Sequence, residues 1–214
     1  MNLWLSSHFL VAGLFLSSSA LTPEECQPLI TPLSLANPAM MYGRLNFIMG
    51  YTDNEIYNDI LKMTQSMWLN ITPSPSSSNT VNFFQENKIN GSCISLKFNT
   101  TIDGNTGLTS FGNITSMFHL LPTFDGYLLM SLSSTNRNLD KLLSMLNINS
   151  NTTAEEINVH ALYLMGNGTA LKDSDLEHFK SQASCLGFFK EPNFIYDPKN
   201  GFCAEGEGRK IFGN

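Results

Sequence analysis

Four cysteines, Cys26, Cys93, Cys185 and Cys203, are the residues of this 214-residue chain best suited to chemistry, and their spacing decides which kind. Separations of 67, 92 and 18 residues hold no close C-x-x-C pair, and no histidine stands at metal spacing, so no metal site is expected. An even set in an exported chain forms two disulfides, with three pairings open to four cysteines. His119 and His160 stand alone in sequence; each could ligate a soft organometal or bond a polar head, but a lone histidine is more often a satisfied structural residue. Glu24-Glu25 and Glu155-Glu156 read as solvated charges rather than an acid/base pair. The chain holds no G-x-S-x-G, H-E-x-x-H or phosphate-cradling glycine motif, so neither an enzyme nor a cofactor is expected.

A second kind of chemistry is modification. Sequons occur at Asn70, Asn90, Asn99, Asn113, Asn151 and Asn167, dense for one small chain, although Pro73 just after the first makes that site a poor acceptor. They go with an export signal over residues 1–20, in which the apolar stretch Phe9 to Leu16 precedes the small residues Ser17 to Ala20, with cleavage expected after Ala20. That stretch is about half of what a membrane span needs, and no later apolar run reaches spanning length, so stable membrane insertion is not expected. Residues 21–214 then form a single domain. The net charge of −6 and the scattered placement of the 12 Lys and Arg leave no footprint for nucleic acid; the acidic balance mildly favours a cationic ligand.

The elements that must position these residues are mostly strands. Runs rich in β-branched and aromatic residues cover 43–50, 60–71, 81–86, 93–100, 107–112, 116–122, 127–133 and 157–165, eight in all, and suggest an antiparallel meander. A barrel of about eight strands leaves room inside for one small ligand; a sandwich is the alternative. Pro73 to Asn79 reads as a surface loop between two runs. A C-terminal helix begins at Ser174-Asp175-Leu176-Glu177, read as a capping box, and ends at Gly187; its stripe of Leu176, Phe179, Ala183 and Leu186 packs against the outside of the sheet. A shorter helix over 138–146 would present Leu139, Leu142, Leu143 and Leu146.

In this order the chain resembles the lipocalin family, and within it the alpha-1-acid glycoprotein-like branch. The resemblance is carried by Gly43-Arg44-Leu45-Asn46-Phe47-Ile48-Met49 as first strand, Tyr57-Asn58-Asp59 before the second and Ile71-Thr72-Pro73 at its exit. It continues through Cys93, the Asn99 sequon and Phe118-His119-Leu120-Leu121, and ends with Cys185-Leu186, Tyr196-Asp197 and Cys203. It implies an all-β, eight-stranded antiparallel up-and-down barrel with a C-terminal α-helix packed outside, and pairing of Cys26 with Cys185 and Cys93 with Cys203. Two departures stand out: Leu45 replaces the Trp of the family's Gly-x-Trp signature, and the segment from about Ser134 to Glu156 looks inserted. Both bring the chain nearest to the fish tributyltin-binding and saxitoxin- and tetrodotoxin-binding type.

With Leu45 at the barrel floor, alternation along the strand points Phe47 and Met49 into a cavity above it. Matching the other strands adds Leu61, Met67 and Leu69 on the second, Phe118 and Leu120 further on, and Met130, Tyr163 and Met165 late in the barrel. Methionine adapts its shape, so such a lining suits a loosely specified lipophile. The resemblance implies a secreted, monomeric plasma or mucus protein that carries or sequesters a small lipophilic or amphipathic ligand, toxin-like or organotin-like. The alternative is an acute-phase, immunomodulatory glycoprotein acting through its glycans. If all four cysteines pair, a thiol-dependent isomerase activity is excluded.

Overall fold

The computed structural model describes residues 21–137, 143–144 and 155–210. The export segment, the Asn151 sequon and all but two residues of the expected 138–146 helix lie outside the described residues. Helix α1 (Pro23–Ile30) opens the described chain with a capping box: Thr22 Oγ1 accepts from the Glu25 amide, and the Glu25 carboxylate accepts from the Thr22 amide. Glu25 is exposed, as expected of a solvated charge, and also caps the helix. After a 3-10 turn (Pro38–Met41), the barrel begins.

Eight strands follow: β1 (Gly43–Thr52), β2 (Thr64–Pro73), β3 (Thr80–Ile89), β4 (Ser92–Asp103), β5 (Thr106–Phe111), β6 (Ile114–Leu121), β7 (Tyr127–Arg137) and β8 (Glu156–Gly166). Each pairs antiparallel with its neighbours in sequence, and β8 pairs back onto β1, closing an up-and-down barrel. Closure leaves no long open edge. The turns obey local chemistry: between β3 and β4, Asn90 and Gly91 both take positive φ (48° and 76°), the conformation that a tight hairpin demands. The loop after Pro73 joins β2 to β3 at the surface, as its composition predicts.

Two elements depart from expectation. Residues 60–63 are not strand but the end of helix α2 (Glu55–Met63), which spans the way from β1 to β2. The Asn54 side chain accepts from the amides of Ile56 and Tyr57 at 3.0 and 3.3 Å, so a cap starts a helix that the apolar run alone conceals. Leu61 accordingly sits on α2 and not on the second strand. Helix α3 (Asp173–Cys185) begins two residues earlier than a Ser174 cap predicts; its N-cap is Lys172, without a side-chain cap bond, and the Ser174 capping box does not form. Gly187, at φ +88°, follows its end as the sequence predicts.

Alternation sorts the apolar residues into an inner and an outer layer. Inside, Leu35, Met41, Leu45, Ile71, Val81, Ile102, Leu120 and Leu128 belong to one buried cluster with the cavity residues. Leu35 and Met41, delivered by the segment before β1, pack with Leu45 in this cluster. Outside, Phe179 and Ala183 of α3 pack on Ile48, Tyr51, Leu129, Leu162 and Leu164. The Cys26–Cys185 disulfide joins α1 to the end of α3, and Gln182, fully buried, donates to the carbonyls of Leu29 and Pro122 at 2.8 and 2.6 Å.

The residues beyond α3 form a belt. β1 leaves β2 after Asn46, and the short strand β9 (Phe194–Ile195) takes the place of β2 beside Met49 and Gly50. The chain then crosses the outer face of β2, β3 and β4, where Ser66 donates to the Gly201 carbonyl (3.0 Å), Glu86 accepts from the Gly206 amide (2.8 Å) and Ser95 donates to the Gly208 carbonyl (3.0 Å). It ends in β10 (Arg209–Lys210), parallel to β4, and the Cys93–Cys203 disulfide pins its middle. The two disulfides are therefore those the resemblance implies.

Candidate ligand cavity

Within the barrel lies a cavity of about 280 Å³. Phe47 from β1, Met67 and Leu69 from β2, Phe118 from β6, Met130 from β7, and Tyr163 and Met165 from β8 line it, and α2 contributes Leu61 from the open end. These eight are among the residues that the sequence points inward. Leu45 and Leu120 also face inward but lie in the packed floor rather than on the cavity wall. Met49 is a correction: it faces outward, in the layer beneath α3.

The cause is a bulge. The β1–β8 register pairs Phe47 with Met165 but Met49 with Leu164, so one extra residue enters β1 between them and inverts the alternation. Gly50 then takes the inward position that Met49 would have held. The Phe47 ring lies over it, where any Cβ would overlap the ring, and Tyr163 stands close by. Phe47 also stacks on Phe194 of the belt, ring centroids 4.4 Å apart and planes 5° from parallel, and meets Tyr163 at 4.9 Å.

Sequence reasoning missed the contribution of β3 and β4. Phe83, Gln85 and Asn87 alternate inward on β3, and Ile94, Leu96 and Phe98 on β4. The signal was present as alternation over 93–100, whereas Phe83-Phe84 and the inward amides Gln85 and Asn87 hide it in β3. Phe83 and Phe98 face each other across the pair, centroids 5.1 Å apart. The lining also includes Tyr57 and Ile60 of α2, hidden by the misread helix, and Thr64, Thr109 and Ser116.

No lining residue is charged. Two phenols stand out instead. Burial pushes the Tyr57 hydroxyl up to about 12, against the opposing effect of the Asn136 amide beside it. Burial also raises Tyr163, with Tyr57 as a secondary cause. Both therefore stay protonated and able to donate at any physiological pH.

The histidines lie elsewhere. His119 is half-buried on the outer face of β6, its Nε2 3.1 Å from the Thr106 hydroxyl, and His160 is exposed, its Nδ1 2.9 Å from Asp53. Both have the structural partners that lone histidines usually have. Glu156 pairs with Arg137 at 2.9 Å on the surface. Among the described residues, Cys93, Cys203 and Glu207 bring metal-ligating atoms together, but the two sulfurs are bonded to each other and offer no thiolate. Of the sequon asparagines in the described residues, Asn90, Asn99, Asn113 and Asn167 are exposed and Asn70 is half-buried.

The barrel superposes on solved structures of low sequence identity. The siderocalin Ex-FABP, described as functioning through dual ligand specificities, matches 73% of this chain over 93% of its own, with a TM-score of 0.53 at 9% identity. The bovine lipocalin allergen Bos d 2 matches 71% of this chain over 88% of its own, with a TM-score of 0.50 at 14% identity. The fold is that of the lipocalins. A second siderocalin, with a dual ligand binding mode, agrees at a TM-score of 0.51 and 10% identity over 72% of this chain and 86% of its own. No family model and no curated protein matches the sequence, so the likeness to the lipocalins is one of fold. No helix among the described residues is long and apolar enough to cross a membrane.

Proposed function

We propose that this protein is a secreted, monomeric member of the lipocalin family that carries or sequesters a small lipophilic molecule, and is not an enzyme. The observation that carries this reading is the cavity, enclosed by aromatic, aliphatic and methionine side chains without a charged group. At about 280 Å³ it lies near the small end of the roughly 300–1,000 Å³ range of ligand sites, which favours a compact cargo. Desolvating a charged ligand there without a partner would be costly, so a neutral body is favoured over the cationic one suggested by the overall acidity. Small, largely apolar toxin-like or organotin-like molecules fall within this class, in keeping with the alpha-1-acid glycoprotein-like resemblance.

Two disulfides and four exposed sequon asparagines support export to an extracellular fluid such as plasma or mucus. Those asparagines equally favour the second reading, an immunomodulatory glycoprotein acting through its glycans. Native mass spectrometry of protein secreted by eukaryotic cells, with a fluorescent apolar probe titrated alongside, separates the two. A one-to-one lipophile or probe supports the carrier; an empty barrel that takes up no probe leaves the glycan reading ahead.

A further inference from the structure

Beside the open end of the cavity lies one buried polar group whose hydrogen-bonding capacity is largely unused. Asn136 on β7 is 1% exposed, and neither its Nδ2 nor its Oδ1 makes a hydrogen bond of good geometry; the Tyr57 hydroxyl is a loose hydrogen-bonding neighbour. It pairs across the sheet with Ile114, which lines the cavity, and it alternates with the inward residues Met130 and Leu132 of the same strand. Its side chain thus faces the barrel interior.

Other inward polar groups are matched. Ser116 and Ser134 bond each other at 2.7 Å, and Gln85 donates to Asn87 at 2.7 Å. The remaining buried unpaired atoms lie away from the barrel interior, on Glu86 beneath the belt, on Thr123 between β6 and β7, and on Gln182 of α3. An orphaned buried amide is rare enough to require an explanation, and a ligand is the one that the setting favours. The Tyr57 hydroxyl lies beside Asn136, and Tyr57 also lines the cavity, so two neutral polar groups meet at the open end above an apolar body.

Resting on the carrier reading, we propose that Asn136, with Tyr57, recognises the head of a neutral, compact lipophile bearing a single hydroxyl. An amide presents one donor group and one acceptor, and a hydroxyl answers both, accepting from Nδ2 and donating to Oδ1. An ether or ketone satisfies only the donor, and a hydrocarbon neither. An ion would enter a cavity whose lining holds no opposite charge.

The test uses the full secreted protein and a set of matched shape: borneol, its methyl ether, the parent hydrocarbon bornane, and protonated bornylamine, each competing with a fluorescent apolar probe. Borneol should bind about tenfold more tightly than bornane, with the ether between them and the ammonium ion weakest. In Asn136→Leu the borneol-to-bornane ratio should fall towards one, while the ligand-free protein gains thermal stability because an unsatisfied amide has been removed. Tyr57→Phe should lower the same ratio and serves if the first variant folds poorly. Equal binding of borneol and bornane by the native protein, an unchanged ratio in the variants, or tightest binding of the ammonium ion would overturn head recognition while leaving a carrier in place. Failure of every compound and of the probe itself would instead overturn the carrier reading beneath it.

Discussion

The indole Nε1 of Trp68 donates to the carbonyl of Cys203 at 2.8 Å, fastening the belt to the outer face of β2. Trp68 is 1% exposed, with the Arg44 guanidinium 4.1 Å from its ring centroid and Phe84 against its edge at 5.5 Å. Trp68→Phe keeps most of the packing but orphans the carbonyl, at a cost of about 1–3 kcal/mol. Urea unfolding should register that loss, and amide exchange should rise first over residues 199–210.

The Cys93–Cys203 disulfide makes the same attachment covalently across a separation of 110 residues. The loop-entropy model gives such a bridge on the order of 4–5 kcal/mol. Replacing both cysteines with serine should lower the urea midpoint more than Trp68→Phe does. If the belt detaches under native conditions, Trp68 emission should shift to the red in this variant.

Phe47 and Met49, two positions apart on β1, should respond differently to truncation. Phe47 forms part of the cavity wall, whereas Met49 supports α3 from the outer layer. Met49→Ala should cost about 2–5 kcal/mol of stability without weakening uptake of an apolar probe. Phe47→Ala should also destabilise, but the same titration should show weaker uptake.

Alkali should unfold the protein through its phenols. Tyr51 and Tyr57 are both raised to about 12 in the fold by burial, and Tyr163 is raised as well, against about 10 in an unfolded chain. Between those values the unfolded state releases protons that the folded state retains. The stability these tyrosines contribute is therefore complete below about pH 10 and is lost as pH rises towards about 12. Unfolding midpoints measured across this window, together with tyrosinate absorbance, should show the decline and a cooperative late titration.

Sequon occupancy should be uneven. Asn90 and Asn113 lie exposed at hairpins, and Asn99 and Asn167 are exposed as well. Asn70 points outward from β2 but is half-buried between its cross-strand neighbours Arg44 and Phe84. Glycopeptide mass spectrometry of protein secreted by eukaryotic cells should find Asn70 the least occupied of the five.

Periodicity made the barrel legible, since alternation of period two survives wherever one face is apolar, and the stripe from Leu176 to Ala183 likewise located the outer helix. The errors arose where a single residue changes the count. The bulge before Met49 inverts the facing of the rest of β1, and no feature of Ile48-Met49-Gly50 taken alone announces it. Leu61 was misplaced because Ile60 to Met63 continue smoothly into a strand pattern, whereas the decisive signal, the Asn54 cap, lies well upstream. The belt over residues 199–210 has no periodicity to read, because it is held by isolated bonds to Ser66, Trp68, Glu86 and Ser95. Asn136 was invisible for a different reason: an amide on a strand gives no sign of whether it will find a partner.

Both disulfides join an early cysteine to one synthesised after every strand of the barrel is complete, since β8 ends at Gly166 and the later partners are Cys185 and Cys203. The pairing of β1 with β8 that closes the cylinder is equally remote in sequence. High contact order of this kind slows folding and postpones covalent locking until late in translation or after it. The nascent cavity thus stays accessible through much of biosynthesis, so that on the proposed carrier reading cargo can be loaded while the chain is still being made.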